Sequence, residues 1–192
     1  MSKLFRRLLI IISFVGSLPL FSQGTVTPAA HDEFAKKKQE TKFTEVVTTD
    51  SLPAAELLKR AMNWIKSENP AYVISGGTST SGKAECTISF LIKPKELNPQ
   101  VDYTGKVTMK VVIESKDSKY RYTVSDIRHI SKSGKTTGGS IDSSYPECGS
   151  QIMPEILWKK IKGEAIRDAG VIVVAIKDAM KIDSSTGSKE DW

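Results

Sequence analysis

Residues 107–125 read VTMKVVIESKDSKYRYTVS. Val107, Met109, Val111 and Ile113 alternate with Thr108, Lys110, Val112 and Glu114. After Lys116-Asp117-Ser118, a second run alternates Tyr120, Tyr122 and Val124 with Arg121, Thr123 and Ser125. A period of two with one apolar and one polar face marks a half-buried strand, and short polar residues between two such runs make a hairpin turn. Upstream, Ala84–Lys93 alternates in the same way, with Ala84, Cys86, Ile88, Phe90 and Ile92 on one side. Three such strands in succession predict an antiparallel meander with one buried and one open face.

The flanking segments supply the cover. Phe43–Thr48 is rich in β-branched residues and predicts another strand, and Tyr72–Ser75 predicts a short one stopped by Gly76-Gly77. Between them, Asp50 and Ser51 offer N-cap side chains and Pro53 suits the first turn of a helix over residues 52–67. Ala54, Leu57, Leu58, Ala61, Trp64 and Ile65 form its apolar stripe, and Asn69-Pro70 ends it. Pro94 and Pro99 bracket a connection, and residues 131–150 form a Gly/Ser/Thr-rich loop. A long helix follows from Pro154 to Ile182, about 40 Å at 1.5 Å per residue. Its stripe includes Leu157, Trp158, Ile161, Ala165, Ala169, Ile172 and Ile176, with Lys159, Lys160, Arg167 and Lys177 opposite. Gly163 and Gly170 on the polar side are expected to bend or fray it. The domain therefore spans residues 41–182, between a polar linker (23–40) carrying Lys36-Lys37-Lys38 and a polar, disordered tail (183–192).

Residues 1–22 have the layout of a secretory signal. Lys3, Arg6 and Arg7 precede an apolar run from Leu8 to Val15, which Gly16, Ser17 and Pro19 break before a cleavage expected near Ser22. That run is too short to span a bilayer as a helix. The 192-residue chain has 28 Lys+Arg against 22 Asp+Glu, a charge of +6 that suggests nucleic acid. Cleavage removes three of those basic residues and no acidic one, leaving +3. Export also takes the chain away from nucleic acid, so none is expected as a partner. The expected location is the periplasm or the extracellular space, without stable membrane insertion after cleavage.

An oxidising compartment permits a bridge between the only two cysteines, Cys86 and Cys148. It would close a loop of about 60 residues, worth roughly 4 kcal/mol. The alternation around Cys86 equally fits a buried small hydrophobe, and the residues leave both readings open.

Catalytic patterns are weak. Gly77-Thr78-Ser79-Thr80-Ser81-Gly82-Lys83 has phosphate-loop spacing, but Ala84 stands where a magnesium-binding Ser/Thr belongs, and a strand follows instead of a helix. A hairpin loop is the better reading. Ser133-Gly134-Lys135-Thr136 has His129 where the first glycine belongs. His31 and His129 are the only histidines, and His129 reads as a surface residue beside Arg128. No zinc spacing and no Gly-x-Ser-x-Gly elbow occurs. Asp117, Asp126 and Asp142 are scattered over turns. No catalytic, cofactor-binding or metal-ligating residue is assigned, and no enzyme activity is expected. What remains is the polar sheet face, where Thr108, Lys110, Arg121 and Thr123, with Thr87, Ser89 and Ser125, form a mildly basic, hydroxyl-rich surface. It suits an anionic partner, and it equally suits a solvated face.

The pairing of Ala55-Glu56-Leu57-Leu58-Lys59-Arg60-Ala61-Met62-Asn63-Trp64-Ile65 with Lys119-Tyr120-Arg121-Tyr122-Thr123-Val124-Ser125-Asp126-Ile127 resembles a family of exported Bacteroidota domains of unknown function with a TATA-binding-protein-like fold. The resemblance spans roughly residues 43–182. It implies an α+β domain in the order β-α-β(4)-α, a single curved antiparallel sheet with two helices on one face. It brings no activity, and fold alone does not imply DNA binding. The expected function is a non-enzymatic envelope module that binds a protein or polymer. The alternative is a carrier of a small apolar ligand between sheet and long helix, motivated by Val171, Val173 and Val174 off the main stripe.

Overall fold

The computed structural model describes residues 40–94 and 100–181. The expected signal peptide, nearly all of the linker and the tail lie outside these residues. The elements run β1 (Phe43–Thr48), α1 (Ala54–Lys66), β2 (Val73–Thr80), β3 (Lys83–Ile92), β4 (Gly105–Lys116), β5 (Lys119–Ser131), β6 (Gly139–Ser140) and α2 (Glu155–Met180). All fall within the compact unit that begins at Lys37.

The strands form one antiparallel sheet in the order β1-β5-β4-β3-β2, with β6 also paired to β5. Two-residue turns, Ser81-Gly82 and Asp117-Ser118, join the β2–β3 and β3-adjacent β4–β5 hairpins. Gly82 and Ser118 both take positive φ, at 72° and 59°. β1, the first element of the domain, pairs with the side of β5 away from β4, which makes β5 a central strand.

Two bulges bend the sheet. In β2, Gly76 and Gly77 intrude between Ser75 and Thr78, so this strand runs on through the glycines expected to stop it. A Cβ on Gly77 would lie 2.5 Å from Ile65 Cγ2, so the bulge brings backbone close under α1. In β5, Asp126 and Ile127 stand opposite Met109 alone, and Asp126 takes φ 49°. Such an extra residue increases local twist and reverses the facing of all that follows. Accordingly Tyr120, Tyr122 and Val124 point inward before the bulge, and Ile127, His129 and Ser131 after it.

Both helices lie on the inward face and touch each other. Leu57, Ala61, Trp64 and Ile65 of α1 share one core with the stripe of α2, where Leu157, Trp158, Ile161, Ala165, Ile172 and Ile176 are fully buried. Each such aliphatic side chain contributes about 1.5–3 kcal/mol by leaving water. α2 runs through Gly163 and Gly170 as one helix of 26 residues, about 39 Å long. Its stripe also buries Asp168, whose carboxyl is raised by desolvation against the opposing pull of Arg167 3.5 Å away.

Helix α1 begins differently from the sequence expectation. Pro53 occupies the N-cap position, and no side chain at that position closes the helix end. The first free N–H, on Ala54, instead donates to the Asp117 carboxylate at 2.8 Å, across 63 residues of chain. Ser118 N–H donates to Leu52 O, and Thr49 N–H to Ser118 O. The β4–β5 turn thereby holds the start of α1.

Candidate functional site

The open side of the sheet is built in rows by the strand register. From the turn end downward, Lys83, Glu114 and Arg121 stand side by side on β3, β4 and β5, followed by Glu85, Val112 and Thr123. Thr87, Lys110 and Ser125 come next, then Ser89, Thr108 and Arg128, and last Leu91, Lys106 and Ile130. The four residues expected to form a partner surface, Thr108, Lys110, Arg121 and Thr123, all stand on this face.

Charge along the rows is uneven. Arg121 lies 2.6 Å from Glu114, and Lys110 lies 3.6 Å from Glu85, which also holds Lys83 at 2.8 Å. The hydrogen bond from Lys83 and the nearby cations hold the Glu85 carboxyl below the usual range. Arg128 reaches Glu147 at 3.1 Å. The two expected cations are thus already matched with carboxylates on the same sheet. Lys93, Lys106 and Lys132, at the opposite end, make no ion pair with the described residues.

That end also exposes aliphatic surface. Leu91 is 68% exposed and Ile130 39%, with Lys106 registered between them. They line an open cleft of about 330 Å³ together with Thr104, Gly105, Ser131 and Lys132. Sequence reasoning missed both aliphatics. Leu91 is an apolar residue in the polar half of an alternating strand, a signal present in the sequence. Ile130 belongs to the even-numbered, inward series of β5 until the bulge turns it outward.

The same bulge corrects the placement of His129, which is not at the surface but fully buried beside Trp158. Its Nδ1 accepts the Gly138 N–H at 3.1 Å, so the neutral ring carries its proton on Nε2, which has no hydrogen-bond partner. Burial pushes its pKa down to about 4. No serine hydroxyl among the described residues bonds to the ring.

The other candidates stay apart. Cys86 and Cys148 are free thiols. Cys86 faces the core from β3, while Cys148 N–H bonds to Thr137 O beyond β5. Burial pushes the Cys86 thiol up to about 12. Asp117 holds α1, Asp126 sits in the bulge, and Asp142 accepts the Thr41 N–H at 2.8 Å. Residues 78–83 form the β2–β3 hairpin, without a helix behind them. The loop of residues 131–150 contains the added strand β6. Of the valines that motivated a carrier, Val173 packs against the core, while Val171 and Val174 are exposed on α2 and, with Asn69, Ala71 and Tyr72, line an open cleft of about 530 Å³ between α2 and the segment leading into β2. Among the described residues, no group of three His, Cys, Asp or Glu is placed to hold a metal ion.

Two solved structures share this architecture. A TBP-like protein from Parabacteroides distasonis superposes with a TM-score of 0.54 at 11% identity, covering 76% of this chain and 94% of that one. The fold is TBP-like. A DUF4468 family protein from Bacteroides ovatus gives a TM-score of 0.52 at 11% identity, covering 76% of this chain and 89% of that one. No protein-family model matches the chain, and no curated protein matches it in sequence. The TBP-like sheet with two helices on one face agrees with the expected β-α-β(4)-α order, with β6 added. Likeness at this identity carries the fold and no activity.

Proposed function

We propose that this TBP-like protein is an exported cell-envelope domain that works without catalysis, holding an anionic partner on the open face of its sheet. The observation that carries the reading is the row of Leu91, Lys106 and Ile130, where, among the described residues, the exposed Lys106 makes no ion pair of the kind Lys110 and Arg121 make. Exposed aliphatics beside lysines offer an anionic partner an apolar contact together with a charge. The layout of residues 1–22 supports export, and Thr108 and Thr123 add hydroxyls along the same face.

The test uses the chain from residue 23 onward, which keeps every described element, and heparin as a soluble polyanion. Binding is expected to weaken with salt and to fall severalfold in Lys106→Glu and Lys132→Glu. Lys110→Ala and Arg121→Ala should matter less, because their charges are already matched. Absence of heparin binding at low salt would overturn the binding reading, and cell fractionation that left the full chain in the cytoplasm would overturn export.

A further inference from the structure

We infer that the Leu91–Lys106–Ile130 end of the sheet docks on an anionic lipid surface. This rests on the binding reading above and names its partner. The three residues stand directly opposite one another on β3, β4 and β5, so their side chains leave the sheet in parallel, about 5 Å apart from strand to strand. Lys93 and Lys132 follow directly on the ends of β3 and β5, and both are exposed. Two aliphatics and Lys106 therefore project to one side at one end of the sheet, with exposed Lys93 and Lys132 beside them. Asp102, on the segment before β4, is held ionised by the Thr104 N–H at 2.8 Å and by Lys132, and it offsets part of the Lys132 charge, leaving Lys93 and Lys106 to carry most of the positive charge at this end.

The two chemistries decide between anionic partners. A hydrated polymer or an acidic loop would account for the lysines and leave Leu91 and Ile130 against water. A lipid surface accounts for both. Its headgroups carry the negative charge, and the acyl boundary just beneath takes aliphatic side chains. Lysine stems can lie along that boundary while their ammonium groups stay with the headgroups. The contact is peripheral: among the described residues, no helix is long and apolar enough to cross a membrane.

Vesicle flotation of the chain from residue 23 onward tests this, with phosphatidylcholine alone or mixed with phosphatidylglycerol. Flotation is expected with the anionic vesicles only, and should weaken as salt rises. Leu91→Ser combined with Ile130→Ser should lower partitioning about tenfold, since both side chains would leave the boundary. The same pair should leave heparin binding unchanged, whereas Lys106→Glu with Lys132→Glu should lower both. All four positions are on the surface, and circular dichroism checks that the variants fold. Equal flotation with neutral vesicles, or undiminished flotation of the serine pair, would overturn the lipid assignment. Heparin binding without flotation would also overturn it while leaving the broader reading in place. Loss of both by the unaltered chain would remove both.

Discussion

His129 Nδ1 accepts the backbone N–H of Gly138 at 3.1 Å, inside the core and against the Trp158 ring. The bond joins the end of β5 to the segment entering β6, and it exists only while the imidazole is neutral, because the protonated ring has no lone pair at Nδ1.

Stability is therefore expected to fall as pH drops from 6.5 to 4. The unfolded chain takes up a proton near the ordinary value of 6.5, whereas the buried ring waits until about 4. The native state binds fewer protons across that window, which costs about 3 kcal/mol by its lower end. Urea denaturation at several pH values measures this. In His129→Leu the slope over the same window should flatten relative to the unaltered chain. Parallel slopes in the two proteins would show that His129 is not the group responsible.

Gly138 has no room for a side chain. A Cβ there would lie 2.3 Å from Trp158 Cζ3, inside the ring's own volume. Gly138→Ala should cost about 1–3 kcal/mol and shift the tryptophan emission as the indole is displaced. The Trp158 Nε1–H bond to Ser143 O, 3.1 Å long, should weaken with it. An alanine variant with unaltered emission and denaturation midpoint would contradict this packing.

Asp117→Ala should lower stability by about 1 kcal/mol, because it removes the acceptor for the first N–H of α1. Asp50→Ala and Ser51→Ala should each do less, although sequence rules assign them the cap. Comparing the three denaturation midpoints decides the matter, and a larger loss at residue 50 or 51 would reverse it.

Reducing agent should leave the denaturation midpoint where it is, since Cys86 and Cys148 are separate thiols. A thiol reagent should label Cys148 in the folded protein well before Cys86, which is buried and carries a strongly raised pKa. A bridge would instead show as a fall of several kcal/mol on reduction, close to the roughly 4 kcal/mol expected for so long a loop.

These cases share one physical origin. Alternation in residues 84–93 and 107–125 is a local property, and the observed β3, β4 and the first half of β5 follow it residue by residue. The stripe of α1 and that of α2 are equally local, and both helices end within two residues of expectation. Beyond Asp126 the same rule fails, since a period of two cannot reveal an added residue. The bulge is defined by pairing with Met109, and it alone decides that His129 is core and Ile130 is surface.

The sequence by itself determined the meander, the two amphipathic helices and their order, because periodicity dictates which side of each element must leave water. Only the tertiary structure decided the capping of α1 by Asp117, the extra strand β6, the free state of both cysteines, and the row that sets Lys106 between exposed Leu91 and Ile130. Each of those depends on which distant segments become neighbours, and that is set by strand pairing across the assembled sheet.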